Sequence, residues 1–258
     1  MARGGWALGA CALWLCALAP AQPRPSGEEQ ARTIETARAN ALHYAGSLPD
    51  FICTEKVQQI TTTGLVQRKE RLAIQVTYFG QRERYKLLSI NGGPADRPLD
   101  SLPGLVTGGE FGTMLFRIFD PASAAEFAWT GWTTVGKRRA ATYSFRVARA
   151  HSHHIVGYRT SEGELRTCTV GEQGAIDLDT ETARVLRIGT NAAEIPEDFP
   201  VLRAFMLVEY GYTEVAGQRH LLPARAASEL VRPGQRSRNV VTFTAYRKFT
   251  ANSSIDFK

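Results

Sequence analysis

The stretch Arg71-Leu72-Ala73-Ile74-Gln75-Val76-Thr77-Tyr78 sets Leu72, Ile74, Val76 and Tyr78 against the mostly polar Arg71, Ala73, Gln75 and Thr77. Successive side chains of a strand point to opposite faces, so a period of two marks a strand with one buried face. The alternation returns in Tyr143, Phe145 and Val147 against Thr142, Ser144 and Arg146. Between Leu202 and Tyr212, the residues Leu202, Ala204, Met206, Val208, Tyr210 and Tyr212 share one face, while Phe205 and Leu207 make the other apolar as well. That strand is expected to be covered on both sides.

Turn signals separate these runs at short intervals: Thr63-Gly64, Gly80-Gln81, Gly136, Glu162-Gly163, Asp179-Thr180-Glu181, Ala216-Gly217 and Pro233-Gly234. Connections this short join antiparallel neighbours, because a parallel pair needs a crossover of about a dozen residues. The sequence therefore predicts an antiparallel meander of about ten strands.

Two helices interrupt it. Ser26 with Glu29 forms a capping box, and a helix is expected from there to about Ala45, with Gly46 as its stop and Ile34, Ala37, Ala41, Leu42 and Ala45 on one side. Thr107 with Glu110 makes a second box, followed by Phe111, Met114, Leu115, Ile118 and Phe119 at helical spacing and by Asp120-Pro121 as a stop. The segment Asn91 to Leu105, with Gly92-Gly93 and three prolines, is the expected mobile loop leading into this helix.

Hydrophobic residues at 43% and charged residues at 22% of 258 describe an ordinary folded chain and exclude a disordered or collagen-like one. The first residues read as an export signal. Arg3 gives a basic start, Trp6 to Ala19 is almost wholly apolar, and Ala19-Pro20-Ala21 offers a small-x-small cleavage site. Cleavage after Ala21 leaves one domain over residues 22–258. The apolar run is shorter than the ~20 residues a permanent spanning helix needs, and no later segment reaches that length. The net charge of +6 falls to +5 when Arg3 is lost with the signal. Runs such as Lys137-Arg138-Arg139 and Arg68-Lys69 then read as solvated turns, and nucleic acid is not an expected partner. Loss of Cys11 and Cys16 leaves Cys53 and Cys168, 115 positions apart. In an oxidising compartment this pair is expected to form one disulfide, worth about 4 kcal/mol in the chain-entropy account.

His151 and His153 would share one face of a strand, but no further metal ligand stands at a diagnostic spacing, so no metal site is expected. Asp177, Asp179 and Glu181 lack the glycine and distal glutamate of a calcium loop and read as a hairpin turn. The chain has no Gly-x-Ser-x-Gly elbow and no phosphate loop, and Cys53 sits in an apolar strand start. No catalytic residue and no cofactor is assigned on these grounds.

Leu48-Pro49-Asp50-Phe51-Ile52-Cys53-Thr54, Gly109-Glu110-Phe111-Gly112, Phe119-Asp120-Pro121-Ala122, Ile195-Pro196-Glu197-Asp198-Phe199-Pro200 and Tyr246-Arg247-Lys248-Phe249 together resemble uncharacterised secreted proteins of acidobacterial type. That resemblance implies no activity. More loosely, a capped helix followed by a curved antiparallel sheet with an inserted helix is similar to periplasmic lipoprotein-carrier and lipoprotein-receptor half-barrels, a likeness of fold that does not fix function.

The resulting expectation is an α+β domain, a large twisted antiparallel sheet resembling a half-barrel, with an N-terminal helix and one inserted amphipathic helix. Its function is expected to be non-catalytic: an exported, periplasmic or secreted protein holding a lipid, lipoprotein chain or other apolar ligand in the sheet concavity, with Phe111, Leu115 and Phe119 as ligand contacts. The alternative is an interaction module that docks onto another envelope protein without a small ligand.

Overall fold

The computed structural model describes residues 23–95, 98–99, 109–160 and 163–249. The expected export signal, the expected Thr107 cap and most of the Asn91 to Leu105 segment lie outside these residues.

Helix α1 (Gly27–Ser47) begins where the sequence signals it. Ser26 Oγ accepts from the Glu29 amide, and the Ser26 amide donates to Glu29 Oε2 at 2.7 Å. Gly46 lies inside the last turn rather than beyond it. The buried stripe is Ile34, Ala37, Ala41 and Tyr44. Small residues on it let the helix lie close to the sheet, and Tyr44 donates to the Leu221 carbonyl at 2.9 Å.

Helix α2 (Thr113–Phe119) starts later than the sequence predicts. Gly112 caps it at φ 131°, and no side chain bonds the first turn. The reason is packing. A Cβ on Gly112 would lie 3.1 Å from Ala45 Cβ and 3.3 Å from the Tyr44 ring, so the chain turns against the end of α1 where only glycine fits. Glu110, expected in the second capping box, is instead buried below this turn. Arg38 of α1 donates to the Phe119 carbonyl at 2.7 Å and ties the two helices together.

Twelve strands form one antiparallel sheet: β1 (Phe51–Thr63), β2 (Val66–Phe79), β3 (Arg82–Ile90), β4 (Gly93–Pro94), β5 (Glu126–Val135), β6 (Arg138–Val147), β7 (His154–Arg159), β8 (Leu165–Asp179), β9 (Val185–Ala193), β10 (Arg203–Val215), β11 (Gln218–Arg232) and β12 (Gln235–Lys248). Their order is β4-β3-β2-β1-β12-β11-β10-β9-β8-β6-β5, with β7 paired to the outer half of β8. The count slightly exceeds the ten or so expected; the two-residue β4 is too brief to announce itself by alternation. Most joints are tight hairpins; Ala216 and Gly217 both take positive φ, the primed geometry that matches strand twist. The architecture is α+β, an open half-barrel-like sheet with both helices against one face.

Register explains where the core sits. Leu72, Val57, Val241, Ala226, Val208, Ile188, Ile176 and Tyr143 are partners in turn across eight strands, from β2 to β6. All are buried, and α1 and α2 pack over this face. At about 1.5–3 kcal/mol for each large side chain, this face supplies most of the stabilisation.

The cysteines do not pair. Cys53 on β1 lies in the main core and Cys168 on β8 packs against a separate small cluster, and both are free thiols. Four strands stand between them, about 24 Å along the sheet at the usual spacing, whereas a bridge needs Cα atoms within about 7 Å. The expected disulfide is therefore corrected to two separate thiols.

Candidate ligand-binding site

Phe111, Leu115 and Phe119 are 1%, 3% and 0% exposed. Phe111 precedes α2 and packs between Phe51 at 5.3 Å and Phe243 at 5.6 Å. Phe119 stacks on Phe127 at 5.3 Å. These side chains seat α2 on the sheet, and Leu115 also lines a cavity of about 170 Å³ together with Ala41 and Tyr44 of α1 and Leu221 of β11.

Two residues further along the strands from the apolar row, the helix-covered face changes character. Gln59, Asn239, Ser228, Met206 and Thr190 are partners across β1, β12, β11, β10 and β9. Gln59 donates to Asn239 at 3.1 Å. Here α2 ends its coverage, and a crevice of about 200 Å³ opens between Met114 and Arg117 of α2, His154 to Gly157 of β7, and Thr190, Met206, Ser228 and Leu230 of the sheet. Its walls are mainly apolar, with a few converging polar groups, the usual composition of a small-molecule site.

The polar groups cancel one another. Arg117 meets the buried Glu172 of β8 through Nε at 2.9 Å and Nη2 at 2.6 Å, and Thr190 donates to the same carboxylate at 2.8 Å. Burial alone would push the Glu172 carboxyl up, but the hydrogen bond and charge of Arg117, with His154 and Thr190, hold it below the usual value. His154 Nδ1 lies 3.8 Å from Glu172 Oε1 and, like Ser228 Oγ, has no hydrogen-bond partner among the described residues. Burial lowers the His154 imidazole to about 4, so it is neutral at pH 7. The crevice thus carries the Arg117–Glu172 pair, the Glu229 carboxylate held by Arg236 at 2.6 Å, a neutral imidazole and a spare hydroxyl, and it suits an uncharged or apolar guest with a small polar end.

A second polar group lies in the core. Glu55 of β1 is 6% exposed, and its Oε1 has no partner among the described residues. Burial, with the charges of Glu110 and Glu83, pushes its carboxyl up to about 9. Tyr85 donates to Glu83, and Tyr210 donates to the Glu110 backbone carbonyl at 3.0 Å. No described cavity opens onto Glu55, so this group bears on stability rather than on binding.

His151 closes a 3-10 turn (Arg149–His151), so the strand alternation that would have put it beside His153 does not apply. Both are exposed, and no cluster of three or more His, Cys, Asp or Glu among the described residues could hold a metal ion. The half-buried histidine is His154, which the sequence pattern did not single out. Asp177 pairs with Arg187 at 2.6 Å, and Asp179 bonds the Glu181 and Thr182 amides, so these acids build the expected β8–β9 hairpin. No described helix is long and apolar enough to cross a membrane.

No protein-family model matches the chain, and no curated protein does. Several solved structures are similar to it over most of their length, three of them as follows. A LolA superfamily protein from Nitrosomonas europaea is 10% identical, with a TM-score of 0.37, covering 88% of this chain and 97% of its own. A putative outer membrane lipoprotein-sorting protein domain from Vibrio parahaemolyticus is 10% identical, with a TM-score of 0.38 and coverage of 86% and 94%. A DUF1329 family protein from Desulfovibrio piger is 11% identical, with a TM-score of 0.39 and coverage of 88% and 96%.

Proposed function

We propose that this is a non-catalytic exported protein that holds an apolar ligand, an acyl chain or similar lipid part, in the crevice beside α2. In this reading residues 1–21 are the export signal and the protein works in the periplasm or outside the cell. The observation that carries it is the crevice itself: apolar walls on the helix-covered face, over a floor whose charges are already paired. Phe111, Leu115 and Phe119 are the inner contacts of this reading, reached by a longer chain that displaces α2.

Native mass spectrometry of the exported protein, followed by organic extraction, tests the reading. A stoichiometric apolar passenger, lost in a Met206→Trp variant that fills the crevice, is the expected result. A clean unliganded mass with no lipid uptake on titration would overturn it. The docking alternative has Phe116 and Ile155 in its favour, 53% and 65% exposed at α2 and β7; it predicts cross-linking through those residues to an envelope protein, without a passenger.

A further inference from the structure

The largest cavity among those described is not the crevice. It is an open groove of about 670 Å³ on the other flank of α1, bounded by the first turns of that helix, the edge hairpin β5–β6 and the β8–β9 turn. We propose that this groove is a separate binding site for a neutral oligosaccharide, with the indole of Trp132 as the platform on which a sugar ring stacks.

Trp132 is held before any ligand arrives. Its Nε1 donates to the Pro23 carbonyl at 3.3 Å, the Arg139 guanidinium lies 4.6 Å over the ring, and Trp129 meets it edge-on at 6.0 Å. A ring fixed on three sides loses little rotamer freedom on binding, which is what makes an aromatic side chain an effective contact surface. The floor is the buried Tyr143.

The polar rim selects the class of guest. Arg32 and Glu181 line the groove, with side chains 70% and 77% exposed, and each has an ion partner that leaves hydrogen-bonding capacity towards solvent. Thr36 Oγ1 spends its proton on the Arg32 carbonyl at 2.9 Å, so its lone pairs remain to accept. An anion would meet Glu29 and Glu181. A cation would meet Arg24 and Arg32. An aliphatic chain would strip water from all four groups without replacing a hydrogen bond. A polyhydroxylated ring with one apolar face offers both donors and acceptors to these groups. This proposal does not depend on the apolar crevice.

The test titrates the exported protein with soluble glucose hexamer and with N-acetylglucosamine hexamer, followed by tryptophan fluorescence and saturation-transfer NMR. Saturable binding of at least one oligomer is expected, weakened about tenfold or more by Trp132→Ala and by Glu181→Ala. Glu181 is exposed, so that second variant keeps the melting temperature and separates lost contacts from lost fold. Met206→Trp, which blocks the crevice, leaves sugar binding unchanged. Absence of saturable binding to either oligomer, or binding indifferent to both Trp132→Ala and Glu181→Ala, would overturn the proposal.

Discussion

The Arg117 guanidinium on α2 forks onto the Glu172 carboxylate on β8, with Nη2 and Oε1 2.6 Å apart and the acid 0% exposed. Removing one partner leaves the other as an uncompensated buried charge. Arg117→Met should therefore cost about 3–5 kcal/mol in urea denaturation, and adding Glu172→Met should recover most of that loss, because a buried pair exchanged for apolar residues is often neutral. An additive double mutant would mean the pair is not coupled.

His154 gives the stability an acid-side slope. The folded imidazole sits at about 4 against about 6.5 in the unfolded chain, so between these values the unfolded state binds a proton that the native state does not. Stability is fully present above about pH 6.5 and falls as pH drops to about 4, by on the order of 3 kcal/mol. His154→Phe should flatten that segment. The Glu172 carboxyl, held low, adds stability that is present above about pH 4.5 and is lost as pH falls from there through its folded value.

Glu55 acts in the opposite sense. Its folded carboxyl at about 9 keeps a proton that the unfolded chain releases near 4.5, so stability declines as pH rises from about 4.5 towards 9. Glu55→Gln should stabilise the protein at pH 7 by up to about 3 kcal/mol and remove the alkaline decline. Melting temperatures measured from pH 5 to 9 check both variants. A Gln variant no more stable than the parent at pH 7 would show that Glu55 is ionised or hydrated.

The two thiols should differ in access. Burial raises both, and Cys53 is fully enclosed while Cys168 is half-exposed. A thiol reagent should modify Cys168 in the native protein and reach Cys53 only on unfolding, with two thiols counted in denatured, unreduced mature protein. A count of zero would restore the disulfide.

The parts legible in the sequence are those written locally. Ser26 and Glu29 fix the start of α1 within four residues, and the alternation at Leu72 to Tyr78 gives a strand its faces. The start of α2 is not legible in the same way: Thr107 and Glu110 have the spacing of a capping box, while the determinant is the contact of Gly112 with α1, which no local pattern records. The candidate site was illegible for the same reason. Arg117 and Glu172 are 55 positions apart, and Ser228, Met206 and Thr190 become neighbours only through register. Periodicity says which face of a strand is covered, but not where along that face the cover stops.

Strand β12 lies between β1 and β11, so among the described residues the latest strand in sequence is the sole ladder joining β1–β4 to the rest of the sheet. A chain made N-terminus first therefore holds two partial sheets, each with a naked inner edge, until Gln235–Lys248 has emerged. The closing stitch is synthesised after every other described strand, so an arrested or clipped chain ending before Gln235 would present two strand edges ready to pair with the wrong molecule.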